Sequence, residues 1–157
     1  MSSAAAAVEA LIGEPAMLIG SSWVKASELR PVLNPADESV VAAVPEGAAE
    51  DAERALEAAR RAQPGWSRRS GPQRGAVLRS VAAAIRARAD ELARVIVAEQ
   101  GKTITEARGE AESTAAFFEY FAAYERAQVG TLWAADEPGE ELSIREIPYG
   151  VVAGIIP

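Results

Sequence analysis

With 157 residues, 49% of them hydrophobic and 25% charged, the chain falls in the ordinary globular range and can bury roughly 68 to 70% of its unfolded surface. It has no Cys and no His, which excludes disulfides, thiolate nucleophiles, imidazole bases and the usual zinc ligands. A net charge of −7 argues against nucleic acid and anionic membranes as partners, and no apolar run approaches the ~20 residues of a membrane span, so a cytoplasmic protein is expected.

Residues 1–16 are Ala-rich, lack a basic start and are interrupted by Glu9, which reads as a flexible extension and not as a secretory signal. Met17 to Val24 and Val40 to Val44 are β-prone and separated by the turn-forming Asn34-Pro-Ala-Asp37, predicting an antiparallel pair that Pro45-Glu-Gly47 ends. A first helix is predicted from Ala48 to Gln63, opened by acids that complement its dipole and stopped by Pro64-Gly65. Ser70-x-x-Gln73 is a capping box with Pro72 in the first turn, opening a second helix. Leu78, Val81, Ala82, Ile85, Ala89, Leu92 and Ile96 draw its apolar stripe, with a possible break near Ala89-Asp90 and an end at Gly101. Thr103-x-x-Glu106 caps a third helix whose buried face is Ala111, Ala115, Phe118, Phe121 and Ala122. Thr131 to Ala135 and Glu141 to Ile147 flank Asp136-Glu-Pro-Gly139 as a hairpin. Val151 to Ile156, a continuous apolar run between Gly150 and Pro157, reads as a strand buried on both faces of a parallel sheet. The sequence supplies no further strand after it, so the chain is expected to be a fragment.

Four patterns suggest chemistry and fail on closer reading. Gly101-Lys-Thr103 resembles the end of a phosphate-binding loop, but the motif's first glycine would fall at Ile96, so adjoining helix caps explain it better. The arginines between Ala58 and Ala89, a stretch without acids, lack interleaved aromatics except Trp66, and the acids from Glu99 to Glu146 can balance them. Glu106, Glu110, Glu112 and Glu119 read as a solvated helix face, not as an acid/base pair. Phe117, Phe118, Tyr120, Phe121 and Tyr124 read as core packing.

Several stretches taken together resemble the N-terminal region of the aldehyde dehydrogenase superfamily. They are Leu18-Ile-Gly-Ser-Ser-Trp-Val24, Asn34-Pro35 leading to Val44-Pro45, and Asp51-Ala-Glu-Arg-Ala-Leu-Glu-Ala-Ala-Arg60 leading to Trp66. Glu99-Gln-Gly-Lys102 and Pro148-Tyr-Gly-Val-Val-Ala-Gly-Ile-Ile-Pro157 follow in the family's order, and Asp136 to Pro157 is most similar to the lactaldehyde and glycolaldehyde branch. The resemblance implies an α/β fold: residues 17–135 as the helical lead-in of an NAD(P)-binding domain, 136–149 as an oligomerisation hairpin, and 150–157 as the first strand of a Rossmann-like sheet. It also implies a parent enzyme that oxidises an aldehyde with NAD or NADP and assembles as a homo-oligomer, dimer or tetramer.

In the family an Ile-Ile-Pro at this strand's end lines the cofactor groove, which makes Ile155, Ile156 and Pro157 the implied cofactor-binding residues. Each isoleucine taken singly reads equally well as core. The family's oxyanion Asn, ribose-binding Lys, nucleophilic Cys and basic Glu have no counterparts here, so no catalytic and no metal-binding residue is assigned and the chain alone is expected to be inactive. The rival reading is a non-catalytic interaction or oligomerisation module.

Overall fold

The computed structural model describes Val8, residues 13–126 and residues 130–156. The rest of the Ala-rich start and Pro157 therefore lie outside the described residues. Among the described residues six strands and four longer α-helices follow in the order β1 Met17–Ile19, β2 Ser22–Val24, β3 Glu28–Leu33, β4 Val40–Glu46, α1 Ala49–Ser67, α2 Gly71–Ala87, α3 Ala89–Gln100 and α4 Ile104–Ala123. A 3-10 turn at Tyr124–Arg126, β5 Gly130–Ala134 and β6 Glu141–Arg145 complete it.

The opening strands correct the expected pairing. Met17–Val24 does not pair with Val40–Val44; it folds on itself as β1 and β2 around Gly20-Ser21, with Gly20 in the left-handed region at φ 64°. The partner of β4 is β3, which holds Pro31 and was not predicted. Pro45 does not end β4 either. The register pairs Pro31 with Ala43 and Leu29 with Pro45, two steps apart, so both prolines occupy the same kind of position in a ribbon with no further strand on its edges. Asn34 Oδ1 accepts from the Ala36 amide at 3.0 Å and closes the intervening turn. A register shift at Val32/Leu33 leaves Val41 as the extra residue on β4, and Val41 packs with Val8 and Ala98 in a small buried cluster. The ribbon is thereby seated on α3.

The helices follow their caps. Asp51 accepts from the Ala48 amide at 3.1 Å at the start of α1. The helix then continues through Pro64 to Ser67, four residues beyond the expected stop. No residue of α1 is buried, so water can take the hydrogen bond that Pro64 cannot make, and the Arg68 amide closes the last turn on the Pro64 carbonyl at 3.3 Å. Ser70 and Gln73 form the predicted capping box of α2, as do Thr103 and Glu106 for α4, and Gly101 ends α3 at φ 72°. The break near Ala89 falls at Arg88, which makes four helices of the expected three.

α2 and α3 pack on α4, and the 3-10 turn packs on α2. The contact is built from small side chains: Ala82, Ala93, Ala107, Ala111, Ala115 and Ala122 are buried. Phe121, assigned to the buried face of α4, is 58% exposed, because the alanine face meets α2 and α3 and the aromatic side is turned from them. No large side chain is fully buried among the described residues.

β5 and β6 form the expected hairpin, Thr131 opposite Ile144 and Trp133 opposite Leu142, with Gly139 at φ 88° in the turn. The boundary expected at Asp136 falls inside this loop. Residues 150–156 form no strand. A strand is defined by the ladder it shares, and among the described residues nothing pairs with this run; every ladder present is antiparallel.

Candidate functional site

The segment that carries the expected cofactor contacts leaves the β5–β6 hairpin through Pro148 and turns at Gly150, φ 91°. Ile155 is 99% and Ile156 85% exposed; Pro157 lies outside the described residues. A Cβ built on Gly150 or Gly154 would meet nothing within 4 Å, so no second wall closes over the segment. A dinucleotide needs a phosphate cradle of backbone amides and a ribose-binding side chain. Among the described residues the segment offers only exposed apolar side chains, Val151, Val152, Ile155 and Ile156 among them, and a backbone in no ladder. The residues present do not by themselves fit the nucleotide.

Catalytic groups were sought on the helices. Glu112 and Glu119 both bind Arg86, the first at 2.8 Å, and those hydrogen bonds raise the arginine pKa. Glu119 is correspondingly held below the usual carboxylate range by the Arg86 hydrogen bond. Glu106 is lowered too, first by the Thr103 hydroxyl and then by the Thr103 amide. Glu110 pairs with Lys102. A general acid needs a raised pKa; the two shifted carboxylates of this face move the other way, and its partners tie α4 to α2 and to its own cap. Lys102, in the loop-like Gly101-Lys-Thr103, is thus an ion-pair partner beside a helix cap.

Arginine pairing follows the same logic. Arg61 bonds Glu57, Arg79 bonds Glu125 and Arg88 bonds Glu91. Among the described residues Arg68, Arg69 and Arg74 have no acidic partner; Arg69 lies 5.5 Å from the centre of the Trp66 ring, and Arg74 donates to the Arg69 carbonyl.

The aromatic group on α4 corrects the core reading. Phe117, Tyr120, Phe121 and Tyr124 are all exposed, and Phe118 alone is half-buried. Tyr120 meets Phe121 edge-on at 5.3 Å, and the Tyr120 and Tyr124 hydroxyls are 2.8 Å apart, which raises the Tyr124 pKa. Helical periodicity could have separated this face from the alanine stripe: Ala107, Ala111, Ala115 and Ala122 share a three- and four-residue series with the half-buried Phe118, and Phe117, Tyr120, Phe121 and Tyr124 form a second such series offset from it.

A groove of about 1300 Å³ lies between the β1–β2 hairpin and α1, floored by Leu18, Val24, Ala55, Ala58 and Ala62. It is remote in sequence from Ile155 and does not include it. Among the described residues no cluster of acidic side chains is arranged to hold a metal, and no helix is long and apolar enough to cross a membrane.

The aldehyde dehydrogenase family model matches residues 23–157. The 3,6-anhydro-alpha-L-galactose dehydrogenase of Streptomyces coelicolor is 47% identical over 127 residues, which cover 81% of this chain and 26% of that protein. The lactaldehyde dehydrogenase of Escherichia coli is 38% identical over 138 residues, 88% of this chain and 28% of its own length. Among solved structures, a 3,6-anhydro-L-galactose dehydrogenase in complex with NADP superposes with a TM-score of 0.80 at 38% identity, covering 85% of this chain and 28% of that one. The betaine aldehyde dehydrogenase of Staphylococcus aureus in complex with NAD+ gives 0.80 at 31% identity, covering 88% and 28%. The chain spans little more than a quarter of the length of these relatives.

Proposed function

We infer the function from one premise: this chain belongs to the aldehyde dehydrogenase family. Its role is that of the N-terminal scaffold of an enzyme that oxidises an aldehyde to a carboxylic acid with NAD or NADP. The observation that carries this is the continuous match from residue 23 to residue 157, with a shared fold at a TM-score of 0.80. The same observation favours the scaffold over a free-standing interaction module, because the match runs through the helices, the hairpin and the apolar segment in one register.

On this reading residues 17–135 are the lead-in of the nucleotide-binding domain, 136–149 belong to the hairpin that joins subunits of a homo-oligomer, and 150–157 pair as a strand within the full enzyme. Ile155, Ile156 and Pro157 then border the cofactor, giving apolar packing and backbone contacts at the carboxyl end of a strand. The aldehyde is of the class named for the more similar relatives, lactaldehyde or 3,6-anhydro-galactose, and the enzyme is cytoplasmic. This chain contributes position and enclosure. With no cysteine it has no thiolate to attack an aldehyde, so the chemical steps fall to residues beyond it.

The test is a chimera in which this chain replaces the matched segment of the S. coelicolor relative. The 157-residue chain alone should give no aldehyde-dependent formation of reduced nicotinamide; the chimera should. A folded chimera without activity, or turnover by the isolated chain free of host dehydrogenases, overturns the reading.

A further inference from the structure

Among the described residues the buried apolar side chains are alanines with two exceptions, Val8 and Val41, and these two lie in one cluster with Ala98. Val41 is the extra residue of the β4 bulge, and Ala98 stands on α3 shortly before the Gly101 cap. Val95 and Ala42, both half-buried, pack around them. A bulge interrupts the ladder, so side-chain packing has to hold this part of the β3–β4 ribbon. The ribbon meets α3 at a second point, where Pro35 Cγ would lie 2.7 Å from a Cβ built on Gly101. Val8 lies before residue 23, at which the family match begins, whereas Val41, Val95 and Ala98 lie within the match. The chain is attached again at Glu14: after a left-handed turn at Gly13, φ 66°, the Glu14 carboxylate meets Lys25 Nζ at 2.6 Å, just beyond β2.

We propose that Val8 is the latch of a clasp that holds the β3–β4 ribbon down on α3. The contact of Pro35 with Gly101 is its hinge, because that contact is made without Val8. With Val8 seated, Val41 and Ala98 are each only 5% exposed. With Val8 released, the apolar surface it covers meets water, and a ladder already broken at Val32/Leu33 is left to keep the ribbon in place. The Glu14–Lys25 pair is exposed on both sides and adds little energy; it fixes where the chain re-enters β1. Opening is local. The helix interface is built from other alanines, Ala82, Ala107, Ala111 and Ala115 among them, and none of these belongs to the Val8 cluster. The ribbon can therefore swing about Pro35 while α2 and α4 stay packed. The clasp joins a residue from outside the family match to a seat inside it, so it is a device added to the family's scaffold.

In the full parent chain, NMR should show nuclear Overhauser contacts from the Val8 methyls to the methyls of Val41 and Ala98. Their absence overturns the proposal, and this measurement needs no variant. Amide hydrogen exchange then reads the latch. Val8→Ala removes two buried carbons, so the amides of the β3–β4 ladder should exchange roughly tenfold faster or more, while those of α2 and α4 keep the parent's rates. Val8→Thr keeps the shape of the side chain but buries a hydroxyl, and it should open the ladder in the same selective way. Equal acceleration in the ladder and in α2 and α4 overturns the proposal, because Val8 would then support the fold at large. Ladder rates unchanged in both variants overturn it as well. The activity of the chimera is read separately, and its failure would leave the clasp untouched.

Discussion

Two glycines sit inside helices in opposite surroundings, and replacing each with alanine separates packing from propensity. Either change gains about 0.5 to 1 kcal/mol from the lower backbone entropy of alanine in a helix. At Gly109 in α4 a new Cβ meets nothing within 4 Å, so Gly109→Ala should keep the whole gain. At Gly75 in α2, which is buried, the Cβ would lie 2.6 Å from Glu125 Oε2, 3.0 Å from the Ala122 carbonyl oxygen and 3.2 Å from Arg79 Nη1. The carboxylate can swing away at the expense of its bond to Arg79. The Ala122 carbonyl is backbone, and α2 must back off from α4 by a few tenths of an ångström along an interface of alanines with no slack. Overpacking of this kind costs about 1 to 3 kcal/mol, which outweighs the gain. Gly75→Ala should therefore be less stable than the parent by about 1 kcal/mol and Gly109→Ala more stable by nearly as much. Urea unfolding followed by far-UV circular dichroism resolves this, and in a chain of this size each ~1 kcal/mol moves the melting temperature by roughly 2 to 4 °C. Repeating Gly75→Ala in a Glu125→Ala background should lessen its cost, since the carboxylate clash goes and the carbonyl contact stays. Equal shifts of the same sign at the two glycines would refute the close approach of α2 to the end of α4.

Gly101→Ala should lose about 1 to 2 kcal/mol on the same assay, because residue 101 holds φ 72° and its Cβ would approach Pro35 Cγ to 2.7 Å. Thr103→Ala removes the cap of α4 and should lose about 1 kcal/mol. It should also return the Glu106 pKa, measured by NMR titration, toward its ordinary value. The folded-state pKa of Glu106 lies below 4.5, so its contribution is present above that value and is lost as pH falls through the folded pKa; Glu106→Gln should flatten this part of the acid limb because the carboxylate's contribution is already missing at neutral pH. Val152→Lys/Ile155→Lys, at positions 76% and 99% exposed, should suppress light scattering by the parent chain at unchanged helicity. If the variant aggregates as readily as the parent, the apolar segment is not the cause. Apolar association strengthens in sulfate, so the parent chain's scattering should rise there and the variant's should not.

The elements most legible in the sequence were those whose signals are local. Ser70 and Thr103 bond the amides three residues on, and Gly101 takes the left-handed cap, because cap geometry depends on a handful of neighbouring atoms. Pairing was less legible. Gly20-Ser21 closes a two-residue hairpin inside what looked like one long strand, and Pro31 hid β3 because a ladder proline is tolerated wherever its missing amide faces outward. Pro64 misled in the other direction: it stops a helix whose lost bond must be replaced by protein, and α1 is exposed along its length.

The expected cofactor residues show a different limit. An apolar run such as Val151 to Ile156 reports that its residues favour burial; whether it is a strand depends on backbone groups that it does not contain. The aromatic face of α4 obeys the same rule. Phe117, Phe121 and Tyr124 are apolar enough for a core, but α4 has one face against α2 and α3, and alanines already fill it. The family resemblance resolved what patterning could not, since it draws on the order of several motifs over the chain, from Trp23 to the closing Ile-Ile-Pro, and is indifferent to which surfaces these residues alone can cover. A fold can thus be recognised from a stretch whose own core is mostly alanine, because the motif order that identifies it does not depend on which of its faces are buried.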